Sequence, residues 1–148
     1  MSSHATRINK SVFEKIDAAL SKPKISELFA TVKEESGNCF PVATIVGEAA
    51  NSAGFVARVI HGKPTLMVAP FVKYDHAWVE IEVPIFKGTP HESLYPFVLD
   101  LSNGLRVLMP VQQYYLIGNI SPKESVAYEA GKILEIAVDK GHYGPYTH

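Results

Sequence analysis

The single cysteine of the chain, Cys39, lies just before a stretch that has the pattern of a helix. A thiol in the first turn of a helix faces backbone N–H groups that have no partner within the helix, and also the positive end of the helix dipole. Both stabilise negative charge, so they favour the thiolate, which is the nucleophilic form of cysteine. Cys39 is therefore a candidate nucleophile, and the alternative is a small buried hydrophobic residue.

Two later segments carry the groups that a cysteine nucleophile needs. His76 begins the alternating stretch His76-Ala77-Trp78-Val79-Glu80, and Asp100 lies in the apolar stretch Val98-Leu99-Asp100-Leu101. A histidine accepts the thiol proton, and a carboxylate orients the imidazole and stabilises its positive charge. We therefore expect a catalytic triad of Cys39, His76 and Asp100, with Glu80 and Asn103 as alternative third members.

These motifs resemble the core of the transglutaminase-like cysteine hydrolases, which are circularly rearranged relatives of papain. The resemblance covers residues 35–102, and four segments carry it: Gly37-Asn38-Cys39, Ala53-Gly54-Phe55-Val56-Ala57-Arg58-Val59-Ile60-His61-Gly62, His76-Ala77-Trp78-Val79-Glu80 and Val98-Leu99-Asp100. Many members have a tryptophan before the acidic residue and a proline after it. Here Tyr95-Pro96-Phe97-Val98-Leu99 precedes Asp100 and Leu101 follows it.

The resemblance implies an α+β fold with a papain-like core and a cysteine hydrolase activity. The nucleophile helix would pack on a largely antiparallel sheet of about five strands, with helices before it and one helix after the sheet. The implied enzyme is a peptidase, amidase or deamidase that needs no cofactor and acts on a protein or peptide through a thioester. Asn38 and Trp78 are the candidate substrate-binding residues, and Trp78 either walls the cleft or screens the imidazole of His76.

The patterns of the chain predict the elements that position these residues. A capping box at Ser11-Val12-Phe13-Glu14 predicts the start of a first helix, and a second box with proline, Ser121-Pro122-Lys123-Glu124, predicts the start of the last. Alanine content favours a helix from Cys39, in which Pro41 is tolerated in the first turn and Gly54 ends the helix. Asn103-Gly104 predicts a hairpin. The predicted helices are 11–21, 25–35, 39–53 and 121–140, and the predicted strands are 55–60, 66–69, 77–83, 97–101 and 105–109.

Composition limits the remaining choices. The chain has 148 residues, which fits one domain spanning 1–148, and 47% of them are apolar, as in ordinary soluble proteins. The net charge of −1 gives no reason to expect a nucleic acid or an anionic membrane as partner. One cysteine cannot form an internal disulfide, and the first residues lack the apolar core of a signal peptide. We therefore expect a cytoplasmic protein.

Three alternatives to hydrolysis remain open. The thioester could be resolved by an amine, which makes the protein an acyltransferase or transglutaminase. The same fold could serve as a non-catalytic module that binds a peptide in the cleft. A metal site at Cys39, His76 and Asp100 is disfavoured, because the chain has no paired cysteine motif and no second histidine at short spacing.

Overall fold

The computed structural model describes residues 4–32, 38–65 and 72–146, with side chains from residue 7 onward. Gly37 and the strand predicted at 66–69 lie outside the described residues. Among the described residues, no helix combines the length and the apolar character that crossing a membrane requires.

Two helices precede the cysteine: α1 (His4–Leu20) and α2 (Pro23–Val32). The prediction that the first helix begins at Ser11 is wrong, because α1 begins two turns earlier. Ile8 and Val12 are buried and extend the buried stripe of Ile16 and Ala19 at helical spacing. Burial of this longer stripe against the core outweighs the local preference of Ser11 for a helix start.

The predicted nucleophile helix is confirmed as α3 (Cys39–Ser52). Pro41 lies in its first turn, and Gly54, with φ +97°, follows its end. Most of the α3 side chains are buried, and the helix contacts α1 and α2. A helix that is apolar on nearly every side belongs inside a protein, so α3 is the central helix of the molecule.

The sheet contains five antiparallel strands: β1 (Ala57–Gly62), β2 (His76–Ile85), β3 (Ser93–Asp100), β4 (Val107–Pro110) and β5 (Val126–Glu129). Their order across the sheet is β4-β3-β2-β1-β5. The hairpin predicted at Asn103-Gly104 joins β3 to β4, and both residues have positive φ angles. The predicted α+β class with a largely antiparallel sheet is confirmed.

The last predicted helix, at 121–140, is only half helical. Helix α5 spans Ala130–Lys140 and ends at Gly141, as predicted, but Pro122–Glu124 forms only a 3₁₀ turn. Between them β5 pairs with the outer edge of β1. Residues 126–129 are extended because they form backbone hydrogen bonds with this edge. A local capping signal does not reveal such bonds to a distant strand.

The loop predicted at 84–96 is also shorter than expected. Strands β2 and β3 continue to the pairs Pro84–Leu94 and Ile85–Ser93, so only residues 86–92 form the connection. This connection joins the C-terminal end of β2, whereas His76 begins the strand. Ten residues of strand span about 30 Å, so the loop lies far from His76.

The two faces of the sheet have different partners. One face packs on α1, α3 and α5 and forms the main core. The other face carries a smaller cluster that includes Ile60, Trp78 and Val98 and is covered by helix α4 (Val111–Gly118). The alternation of side chains along each strand separates the two clusters.

Gly47 lets α3 approach the sheet closely. A β-carbon at this position would lie 2.7 Å from Cγ2 of Val59, a fully buried side chain of β1. We expect Gly47→Ala to lower the free energy of unfolding by about 1–3 kcal/mol through overpacking. Urea unfolding measures the effect.

Gly131→Ala in α5 is the matched control, because no atom lies within 4 Å of the added carbon. This variant should raise the stability by about 0.5–1 kcal/mol, since alanine loses less backbone entropy in a helix. Equal effects of the two substitutions would contradict the close approach at Gly47.

Candidate active site

Three elements bring the candidate residues to one end of the sheet. Cys39 is the first residue of α3, His76 is the first residue of β2, and Asp100 is the last residue of β3. Val79 pairs with Leu99, and side chains alternate between the two faces of the sheet. Asp100 and His76 therefore project from the same face near the end of their strands.

The three side chains form one connected, buried group. His76 Nε2 lies 2.9 Å from Asp100 Oδ2. The Cys39 thiol lies close enough to the imidazole to raise the pKa of His76. Because Nε2 contacts the carboxylate, Nδ1 is the nitrogen left for the thiol. The structure thus brings together the Cys39, His76 and Asp100 side chains in the order that the sequence predicted.

The Asp100 carboxylate has four hydrogen-bond donors. Oδ1 accepts from the backbone N–H of Ser102 at 3.0 Å and from its hydroxyl at 2.7 Å. Oδ2 accepts from His76 and from the hydroxyl of Tyr114 at 3.0 Å. Burial opposes the charged form most strongly, but the bonds from His76 and Ser102 outweigh it and lower the pKa of Asp100. The carboxylate is therefore held ionised inside the protein.

His76 is held protonated by its two neighbours. Burial alone would lower its pKa, but the hydrogen bonds and negative charges of Asp100 and Cys39 prevail and raise it from 6.5 to about 9. The stability that this proton contributes is fully present below pH 6.5 and is lost as the pH rises through about 9. The site thus holds a positively charged imidazole between a carboxylate and a thiol at neutral pH.

Asn38 connects the start of α3 to two other elements. Its Nδ2 donates to the carbonyl of Val32 at 3.0 Å, and its Oδ1 accepts from the N–H of Asn103 at 3.0 Å. The side chain is buried and makes no cap hydrogen bond to its own helix. Asn38 thus links the start of α3 to α2 and to the hairpin. Its role in substrate binding stays a prediction.

Trp78 is completely buried, and its ring centroid lies 6.1 Å from that of His76. The substrate-binding role expected of Trp78 stays a prediction. The indole N–H donates to Glu80 at 3.1 Å, and the hydroxyl of Tyr115 donates to the same oxygen at 2.6 Å. Glu80 is thus the hydrogen-bond partner of Trp78, whereas Asp100 is the carboxylate that contacts His76.

Four side chains near the site were not identified from the sequence: Ser102, Tyr114, Tyr115 and Tyr74. The two tyrosines of α4 and Val111 pack on the sheet at i, i+3 and i+4 spacing, a helical signal that could have revealed this element. The ring of Tyr74 lies 5.7 Å from that of His76, and Tyr74 is partly exposed. Nothing local in the sequence marks Tyr74 or Ser102 as neighbours of the site.

Metal ligation was one of the alternatives for these residues. Across residues 4–32, 38–65 and 72–146, no three His, Cys, Asp or Glu side chains are grouped as metal ligands would be.

The raised pKa of His76 can be measured directly. We expect NMR titration of the imidazole to give a midpoint near 9 in the native protein. Asp100→Asn should lower the midpoint by more than one unit, because the charge and the acceptor that oppose the burial effect are lost.

Asp75→Asn is the control for this titration. Asp75 precedes His76 in sequence, but its carboxylate is half exposed and pairs with Lys63. Its neutralisation should leave the His76 midpoint near 9. A midpoint near the ordinary 6.5 in the native protein would show that Asp100 does not hold the imidazolium.

Substitution of two neighbouring tyrosines distinguishes a role in positioning the site from a role in packing alone. Tyr114→Phe removes a donor to Asp100, and Tyr115→Phe removes a donor to Glu80. Each should cost about 1.5–3 kcal/mol of stability, because each donates to a buried carboxylate. Only Tyr114→Phe should shift the pH profile of Cys39 alkylation. Equal shifts in both variants would show that Tyr114 acts only on packing.

The comparisons with known proteins agree with the geometry. Residues 1–89 match the family model described as transglutaminase-like superfamily. The match covers more than half of the chain and includes Cys39 and His76, while Asp100 lies beyond it. No curated protein and no solved structure was found to match the chain. On the strength of the family match, the chain belongs to the transglutaminase-like superfamily.

Proposed function

We propose that the protein is a cysteine hydrolase that cleaves an amide through a thioester on Cys39. The observation that carries this proposal is the buried His76 imidazole, which is hydrogen-bonded to Asp100 and has the Cys39 thiol near enough to raise its pKa. A structural cysteine has no need of a buried imidazolium and a carboxylate with four donors. The proposal treats residues 1–148 as one catalytic domain, and the packing of β5 on β1 and of α5 on α3 supports this.

The acylation step follows from these contacts. At neutral pH His76 already carries the proton, so the Cys39 thiolate beside it attacks the carbonyl carbon of the amide to form a C–S bond. The tetrahedral oxyanion lies near the N-terminus of α3, where the Cys39 N–H has no partner within the helix. As the C–N bond breaks, His76 donates its proton to the leaving amine.

The deacylation step regenerates the ion pair of Cys39 and His76. His76, now neutral, removes a proton from water, and the hydroxide attacks the thioester carbonyl. The C–S bond breaks, the acid product leaves, and the Cys39 thiolate again faces the protonated His76. Asp100 keeps one imidazole nitrogen protonated throughout, so the other remains available for proton transfer.

Acyl transfer to an amine uses the same thioester, and it differs only in the second nucleophile. The outcome is decided by adding a primary amine to the acylated enzyme. Release of the free acid at an unchanged rate supports hydrolysis, whereas amide formation that saturates with the amine makes the protein an acyltransferase.

A nitrophenyl ester tests the nucleophile itself. We expect p-nitrophenyl acetate to acetylate Cys39 in the native protein, with a burst of nitrophenolate and a mass increase on the only cysteine. Cys39→Ala should show neither signal. Asp100→Asn should slow acetylation at neutral pH by about 10³- to 10⁴-fold, because the imidazole loses its orientation and charge partner.

The pH dependence gives a second readout of the same proposal. Amide cleavage should decline above pH about 9, as His76 loses the proton that it donates to the leaving amine. The Asp75→Asn variant is again the control, since its exposed carboxylate pairs with Lys63. A native thiol that resists both the ester and iodoacetamide would leave Cys39 a structural residue and would favour a peptide-binding module.

A further inference from the structure

A pocket of ≈ 280 Å³ lies beside the candidate site, on the side away from Asp100. Its lining includes Phe40, which follows Cys39 in the chain, and Asp75, which precedes His76. It also includes Gly62, the β1 residue that pairs with His76. The pocket is therefore lined by the neighbours of Cys39 and His76 in the chain and in the sheet.

Aromatic rings form the floor and one wall of this pocket. The ring of His61 lies edge-on to Phe40, with centroids 4.7 Å apart, and 5.7 Å from the ring of Tyr146. The C-terminal segment, residues 142–146, supplies the wall: a β-carbon at Gly144 would lie 2.9 Å from Cε1 of His61. The backbone of this segment thus rests directly on the imidazole of His61 and places Tyr146 at the pocket.

The charges at the rim are balanced within the protein. Lys63 pairs with Asp75 at 2.7 Å, and Glu124 pairs with Lys73. Among the described lining residues, each of the charged side chains Lys63, Asp75 and Glu124 thus has a partner of opposite charge. The rest of the lining consists of Gly62 and of ring or aliphatic side chains, namely Phe40, His61, Val126, Pro145 and Tyr146, and this part complements an uncharged side chain.

We propose that the pocket binds the aromatic or large apolar side chain next to the acyl carbonyl of the substrate, and that Tyr146 determines this preference. The volume is below the roughly 300–1,000 Å³ of typical ligand sites, so it holds one side chain rather than an extended ligand. This inference rests on the proposed function, because the side chain is placed by the carbonyl bound at Cys39. It adds the class of acyl group that the enzyme accepts.

Acylation by activated amino-acid esters tests the pocket without a known substrate. The probes are p-nitrophenyl esters of N-acetylated phenylalanine, leucine, alanine, lysine and glutamate. The Cys39 thiolate attacks the ester carbonyl, a C–S bond forms, the C–O bond breaks and nitrophenolate leaves with the electron pair. The rate constant for nitrophenolate release reports the fit of each side chain and does not depend on what resolves the thioester.

We expect the native protein to react about 10- to 100-fold faster with the phenylalanine ester than with the alanine ester. The lysine and glutamate esters should resemble the alanine ester or react more slowly. Tyr146→Ala removes the wall and should reduce the ratio of the phenylalanine to the alanine rate by about 10-fold. Tyr146→Phe keeps the ring and loses only the hydroxyl bond to the His142 carbonyl, so it should keep the ratio.

A second variant fills the pocket instead of opening it. Val126 is exposed on β5 and lines the pocket, and Val126→Trp should slow the phenylalanine ester more than the alanine ester and so lower the ratio of the two rates. Leu116→Ser, at an exposed position of α4, is the control and should change neither rate. If Tyr146→Ala does not fold, Val126→Trp still tests the pocket.

The possible results separate the two proposals. No acylation of Cys39 by any ester overturns the proposed function, and the pocket inference fails with it. Rapid acylation at equal rates for all five esters supports the nucleophile and overturns the pocket inference alone. A preference for lysine or glutamate also overturns it, because the paired rim charges would then be recognising an ion.

Discussion

The buried carboxylate of Asp100 is the group on which the candidate site depends. A charge removed from water is tolerated only when its oxygens are satisfied, and here four donors come from three different elements. His76 contributes from β2, Ser102 from the hairpin and Tyr114 from α4. Each element must therefore be in place for the charge to remain buried, and the buried charge in turn holds the imidazole protonated.

The same carboxylate also connects to the nucleophile through the backbone. It orders the turn at Ser102, and the next residue, Asn103, donates its N–H to Asn38. Asn38 is the residue before Cys39, so the start of α3 is tied to the hairpin that follows β3. On the other side, His76 lies between Asp100 and Cys39. The positions of the Cys39 thiol and of the His76 imidazole thus both depend on contacts with one buried group, the Asp100 carboxylate.

Packing on the two sides of the sheet keeps this arrangement rigid. Gly47 allows α3 to lie close against β1, which sets the depth of Cys39 relative to the strands. On the opposite face Trp78 is fully buried beside His76 and is anchored by Glu80. The imidazole is therefore screened from water on the Trp78 side, which strengthens its interaction with Asp100.

Residue type and local periodicity were enough to predict α3, the central strands and the hairpin, because alanine content, alternation and Asn103-Gly104 act over a few neighbours. Residue type also marked Cys39, His76 and Asp100 as candidates, and the structure gives a hydrogen bond between the last two. Only the tertiary structure decided the rest. Residues 126–129 form a strand because their backbone hydrogen-bonds to the outer edge of β1. Tyr114 donates to Asp100 because helix α4 packs on the second face of the sheet. Such contacts join residues that are distant in the chain, so local sequence patterns do not predict them.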